Sequence, residues 1–507
     1  MKYERLSNTK RNIIFASVFK FITTIMPILI RSIIIRSLGA EYAGLSGLFS
    51  SILAVLSVSE LGFGSAVVFS MYEPIANDNY PKVGALLGFY KRIYRYVSAF
   101  VLIVGLGVLL FLKYLIKGSY PQEINIYYLY LLYLLSTVSS YTFGSYKRSI
   151  MTAFQRDDLV SKISTLVIIP AYLFEMFVLL FFKNYYFYVV VMILSNIVIN
   201  LIISRTVDNK YPQIRVNSDI EKEERQNIFE KVKGLLVIRL LSISRTSSDT
   251  IFITAFCGLL TNTIYSNYHM VVMAINGFML LLTNSITGGI GNGMVINDKK
   301  KNYDDFMRIN LIYMFVCSLC IVGMVNFYDS FISICFGEKY VLPNLEKYLF
   351  CAYFFVISTG NIKGVFINAA GLWDKAKKYV LMDAVCNCVL NFVGVHFWGI
   401  TGVLLATIIS MTVFDVFGVT KVLFTRAFEK TWMSSFIKIN LFWAGLLISV
   451  LQVGRIHLFE GNGLISSSLS FALEAIILSG VVLVVTRHIS VFREAQNLLL
   501  ALIKSKI

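Results

Sequence analysis

Apolar runs of about 20 residues follow one another along the whole of this 507-residue chain, and they constrain its fold more than any other feature. A helix of that length crosses the roughly 30 Å hydrocarbon layer of a bilayer. In lipid every backbone N–H and C=O must be bonded within the chain, which leaves only helices and closed barrels. The runs are continuous and do not alternate, which argues against a barrel. Composition agrees: only 15% of the residues are charged, against about 25% in soluble domains. The expected fold class is therefore an all-α polytopic membrane protein.

Fourteen spans are expected, near residues 12–37, 43–70, 94–116, 124–145, 160–183, 186–206, 234–257, 263–290, 306–327, 346–370, 378–396, 400–421, 436–454 and 465–487. The basic start (Lys2, Arg5, Lys10, Arg11) runs directly into the first span with no small-residue cleavage site, so that span reads as an uncleaved anchor. With the N-terminus inside, 34 of the 46 Lys and Arg residues fall at or beside the cytoplasmic segments, seven fall outside, and five lie within spans. Such an imbalance predicts cytoplasmic N- and C-termini. The net charge of +17 is then the charge of cytoplasmic loops and calls for no nucleic acid.

Several function classes are excluded. No phosphate-binding P-loop, nucleophile motif or paired catalytic carboxylates in a soluble segment is present, so no enzyme is expected. The four histidines have no metal-ligand spacing, and Cys317-x-x-Cys320 lies in an apolar span without histidine partners, so no metal or cofactor is expected. A membrane glycosyltransferase or polymerase would need catalytic acids on a sizeable outer loop, and every outer gap is short.

The longest inside gap, 207–233, is polar and ends in an amphipathic pattern of Ile220, Ile228, Phe229 and Val232. Six spans precede it. A shift of 219 residues sets Gly39 on Gly258, Leu45 on Ile264 and Lys20 on Arg239, a faint internal repeat. The expected organisation is two pseudo-symmetric six-helix lobes (1–206 and 234–425) around a central cavity, a cytoplasmic linker (207–233), and two extra C-terminal helices with a tail (426–507).

Charged residues within spans mark function by default. In the seventh span Arg239, Ser242, Arg245, Thr246 and Asp249 share about one third of the helix circumference. In the first, Ser17, Lys20, Thr24, Pro27 and Arg31 form a similar stripe. Lys363 sits in the tenth. Each such charge in lipid costs about 2.5–3.5 kcal/mol, so a shared hydrated cavity is expected for all five cations. Opposed only by Glu60 and Asp249, they make it positive and suited to an anion. Glu60, beside Gly62 and Gly64, and Asp249 are candidate structural partners or coupling sites for H⁺ or Na⁺; Arg245 lies one turn from Asp249, so an internal ion pair competes with ligand binding. Tyr265, Asn267, Tyr268 and Asn284 in the eighth span are candidate sugar contacts, and Tyr and Asn also sit at ordinary helix ends.

Segments RSLGAEYAGLSGLF (36–49), SELGFGSAVVFSMYEP (59–74), IYSNY (264–268), SITGGIGN (285–292), FGEKY (336–340) and AAGLWDK (369–375) resemble, in order and spacing, polysaccharide flippases of the Wzx type. Those belong to the multidrug/oligosaccharidyl-lipid/polysaccharide (MOP) exporter superfamily. The resemblance runs to about residue 425. It implies two lobes in a V, a cavity lined by the first, second, seventh and eighth helices, and alternating access. It also implies a substrate, an undecaprenyl-diphosphate-linked oligosaccharide, moved to the outer leaflet of a bacterial cytoplasmic membrane for capsule or other surface polysaccharide. A polysaccharide polymerase and membrane lipids would be its partners. The alternatives are an H⁺- or Na⁺-coupled drug exporter, which predicts an acidic cavity and twelve spans, and a lipid II flippase.

Overall fold

The computed structural model describes residues 2–57, 63–216, 220–436, 442, 443, 445 and 464–488. Among them there is no strand. The order is α1 (Lys2–Ser37), α2 (Ala40–Leu56), α3 (Phe63–Ala76), α4 (Tyr80–Val108), α5 (Ile126–Tyr141), α6 (Arg148–Ala153), α7 (Asp157–Phe177) and α8 (Tyr185–Lys210). Then come α9 (Lys222–Cys257), α10 (Leu259–Ile296), α11 (Lys299–Phe336), α12 (Asn344–Ala369), α13 (Trp373–Ser410) and α14 (Leu464–His488). Nine described helical segments are long and apolar enough to cross a membrane. The chain is a multi-pass membrane protein of all-α class.

Thirteen of the expected spans map onto these helices, and the expected thirteenth span, 436–454, lies almost wholly outside the described residues. The second span is shared by α2 and α3; residues 58–62, where the sequence shows Glu60 and Gly62, lie outside the described residues. The eleventh and twelfth spans form one hairpin within α13 and its continuation through Ala427, turned at Gly399, whose φ of 54° suits a residue without a Cβ. On either side Gly394 and Gly402 bring the two backbones together: a Cβ on Gly402 would sit 2.0 Å from the Gly394 carbonyl oxygen. Small residues at such crossings are what membrane helix packing uses.

The chain divides into two compact units, Met1–Thr263 and Ile264–Ile507. In the first, α1 packs along α7, α5 against α8, and α2 against α9. Helix α9 is longer than the seventh span. The amphipathic stretch expected in the linker is its opening turns, with Ile228 and Val232 buried and the Phe229 ring 5.4 Å from Phe63 and 6.0 Å from Phe89. Lys82 and Glu224 add an ion pair of 3.4 Å. Helix α8 ends at Lys210 and α9 begins at Lys222, so both reach into the expected linker.

The second unit is built from α11, α12 and both arms of α13, with α14 laid along α11. Its core is aromatic: Phe306, Phe366, Phe424 and Phe428 meet edge to face or tilted. Aromatic pairs of this kind add about 0.5–1.5 kcal/mol each beyond their burial.

Two helix junctions in the first unit correspond under the 219-residue shift. Gly39 (φ 125°, ψ 162°) joins α1 to α2, and Gly258 (φ 91°, ψ 176°) joins α9 to α10. Both conformations are costly for any residue with a Cβ. The faint sequence repeat is thus carried by matching backbone turns.

Candidate functional site

The most constrained polar arrangement in the first unit surrounds Arg31. An arginine within a membrane helix requires acceptors for its donors. Its Nη1 donates to the Ala43 carbonyl and its Nη2 to the Thr263 carbonyl, each at 3.3 Å. One side chain thereby ties α1 to the first turns of α2 and α10. The two turns also bind each other directly. The Asn262 amide donates to the Gly44 carbonyl at 3.0 Å, and the Thr263 hydroxyl to the Ala40 carbonyl at 2.6 Å. Gly44 makes this approach possible: a Cβ there would lie 2.5 Å from the Leu259 carbonyl oxygen. The Lys117 amide closes the same region by donating to the Thr254 carbonyl at 3.1 Å.

The other expected site residues fall as follows. Lys20 is half-buried on α1, eleven residues before Arg31. Asp249 is buried in α9 with 1% exposure. Arg245 is half-buried one turn earlier on that helix. The hydroxyls of the same stripe bond back to their own helix, Ser242 to the Ile238 carbonyl at 2.9 Å and Thr246 to the Ile243 carbonyl at 3.1 Å. This common arrangement satisfies hydroxyls in lipid without a partner helix. Arg239 lies on α9, but its side chain is outside the described residues, as is the whole of Glu60.

Lys363 belongs to α12. It is buried in the second unit, where its Nζ donates to the Thr420 hydroxyl at 3.2 Å and feels the Asp415 carboxylate. Asp415 itself packs on Gly360, with Oδ2 2.7 Å from where a Cβ would stand. A cavity of only about 10 Å³, lined by Asn310, Thr359 and Trp443 among others, adjoins the lysine.

Three of the four candidate sugar contacts are buried. Tyr265 (1% exposed) stacks on His269 and meets Phe350. The Tyr268 hydroxyl accepts the Leu342 N–H at 2.9 Å, and its carbonyl accepts the Tyr328 hydroxyl. Asn267 is fully enclosed. Asn284 is exposed on α10.

Two polar features have no counterpart among the expected site residues. On α13, Asp383, Asn387 and Asn391 form a buried ladder at four-residue spacing. The Asn387 amide donates across the hairpin to the Thr407 hydroxyl at 2.9 Å, and Asn391 donates to Asn387 at 3.2 Å. On α14 the buried Glu474 accepts from the Asn326 amide of α11 at 2.7 Å. The four-residue spacing of the ladder was visible in the sequence; the Glu474 partner, 148 residues away, was not. All seven cysteines are free, Cys317 and Cys320 included. Among the described residues no cluster of three or more His, Cys, Asp or Glu could hold a metal.

No protein-family profile matches the sequence, and no curated protein matches it significantly. Solved structures do match. The lipid II flippase MurJ in an inward-closed conformation is similar over 92% of this chain and 98% of its own, with 13% identity and a TM-score of 0.65. An inward-facing multidrug resistance MATE family transporter of the MOP superfamily covers 86% of this chain and 98% of its own, at 12% identity and TM-score 0.61. The Vibrio cholerae MATE transporter VcmN in its bent form gives 13% identity and TM-score 0.51, covering 86% of this chain and 98% of its own. At these identities the likeness is one of fold, and this chain has the fold shared by the MurJ flippase and the MATE transporters.

Proposed function

We propose that this protein is a flippase that carries an undecaprenyl-diphosphate-linked oligosaccharide from the inner to the outer leaflet of a bacterial cytoplasmic membrane by alternating access. The observation that carries the reading is the occurrence of Lys20, Arg31 and Arg245 within helices α1 and α9 of one unit, in a fold shared over 92% of the chain with a lipid flippase. Cations at that depth are worth their cost where they meet an anion, and a lipid diphosphate is an anion on an apolar tail.

In this mechanism Arg31, Arg239 and Arg245 hold the diphosphate, with Lys20 adding to the field. The isoprenoid stays in the bilayer, and Asn284 contacts the sugars. The Arg31 junction, where α2 meets the start of α10, parts when the outer side opens. An inside-negative potential assists outward movement of an anion by about 2.3 kcal/mol per charge per 100 mV. Coupling to H⁺ or Na⁺ through Asp249 or Glu60 is compatible with this and not required by it.

A lipid II flippase is the second reading, favoured by the likeness to MurJ. Both cargoes carry a lipid diphosphate, and they differ in the attached sugars and peptide. Complementation separates the readings: a strain lacking its surface-polysaccharide flippase is expected to regain polymer, and a strain depleted of its lipid II flippase is not. In the first strain, Arg31→Ala, Arg239→Ala and Arg245→Ala at normal protein level are expected to lose export. Full export in all three would remove the diphosphate assignment.

A further inference from the structure

We propose that a groove on the first unit, between the middle of α4 and the α5–α6 turn, is a binding site for an anionic glycerophospholipid of the leaflet bordered by the basic loops. The groove has a volume of about 430 Å³ and is lined by Lys91, Tyr94, Arg95, Leu102, Phe143 and Tyr146, among others. It lies apart from Lys20, Arg31 and Arg245, none of which lines it.

Three features select the ligand. The first is charge: no acidic side chain lines the groove, and neither Lys91 nor Arg95 has an ion pair among the described residues. Lys91 instead stands 5.8 Å from the Tyr146 ring centre. The adjacent acid on α8, Asp208, is already held by Lys147 at 2.6 Å. The second is gradation. Along one face of α4 the lining changes from Lys91 and Arg95 through Ser98 and Ala99 to Leu102. At 1.5 Å per residue this places cation and hydrocarbon about 16 Å apart, the distance from a headgroup phosphate into the acyl region. Exposed Leu106, one turn further along the same face, carries the apolar surface onward. The third is the turn opposite. Phe143 and Gly144 both take left-handed backbone conformations (φ 53° and 82°), and Phe143 is left 47% exposed at the rim. An exposed aromatic beside two cations at a membrane boundary suits a headgroup with its acyl chains alongside.

A free phosphate would satisfy only the cations; the graded wall calls for a lipid. The test uses the full chain purified in a neutral detergent. Native mass spectrometry or thermal unfolding follows titration with phosphatidylglycerol, phosphatidylcholine or sodium phosphate. The wild type is expected to bind phosphatidylglycerol in preference to phosphatidylcholine and to ignore phosphate. Lys91→Gln/Arg95→Gln is expected to lose about 30-fold of that preference, the worth of two interfacial cations. Arg95→Gln alone, which changes one exposed side chain, is expected to lose about 5-fold. Lys162→Gln/Arg205→Gln removes the same charge from exposed positions elsewhere on the unit and is expected to keep the preference. Equal binding of the two lipids by wild type, an unchanged preference in the groove variants, an equal loss in the control, or a phosphate effect as large as that of phosphatidylglycerol would each overturn the proposal.

Discussion

Replacing Gly44 with alanine tests the helix junction at Arg31 directly. The added Cβ would stand 2.5 Å from the Leu259 carbonyl oxygen and 3.0 Å from the Thr263 hydroxyl. An ordinary carbon–oxygen contact is about 3.5 Å, so the first turn of α2 must retreat by about 1 Å. The obstacle is backbone, and no rotamer relieves it. A retreat of that size stretches the Asn262–Gly44 bond (3.0 Å) and the Thr263–Ala40 bond (2.6 Å) beyond useful range. Each is worth about 0.5–1.5 kcal/mol, and the fully buried Asn262 amide then bears a further desolvation cost of about 1–3 kcal/mol. The total is about 2–6 kcal/mol, or roughly 30- to 20,000-fold in the closed-to-open ratio of the junction. Cys257, half-buried at the end of α9, reports on it. With the other six cysteines changed to serine, Gly44→Ala is expected to raise maleimide labelling of Cys257 at least tenfold and to lower the thermal unfolding midpoint. Unchanged labelling and unchanged melting would refute the reasoning that this close approach holds the junction shut.

Four further outcomes follow from the second unit. Gly402→Ala, which places a Cβ 2.0 Å from the Gly394 carbonyl, is expected to cost more than about 2 kcal/mol by the overpacking rule, read as a lowered midpoint in detergent. Tyr268→Phe removes the acceptor of the Leu342 N–H and is expected to destabilise by about 0.5–1.5 kcal/mol in the same assay. Lys363→Met removes the donor to the buried Thr420 hydroxyl and is expected to cost about 1–3 kcal/mol in the same assay; an unchanged midpoint would show that this bond carries no stability. Glu474→Leu is expected to loosen α14 from α11, seen as faster proteolysis after the α14 segment, whereas Glu474→Gln keeps an acceptor for Asn326 and should behave as wild type.

The helices were legible in the sequence because lipid imposes one rule on every span, that its backbone bonds close internally. The α13 hairpin was legible for the same reason, with the break expected between 396 and 400 and found at Gly399. Gly39 and Gly258 were legible as a repeat because a backbone requirement is written in residue type. Partners across helices were not. Periodicity places Lys363 on a helix face, but nothing in its neighbourhood names Asp415, 52 positions on, or Thr420. Nor does it separate a tyrosine that meets a ligand from one, such as Tyr268, whose hydroxyl supports a loop. The amphipathic end of the linker read as a separate surface element because its polar residues break the apolar run; the helix continues through them since Ile228 and Val232 have a face of the first unit to cover.

The flippase account is tested most directly by transport in proteoliposomes containing the purified chain and a fluorescent undecaprenyl-diphosphate oligosaccharide. A membrane-impermeant quencher or glycosidase reads which leaflet the sugar occupies. The account predicts movement of the sugar across the bilayer well above that of protein-free vesicles, abolished in Arg31→Ala and competed by the lipid diphosphate without sugar. Movement no faster than in protein-free vesicles, or equal movement in Arg31→Ala, would contradict it.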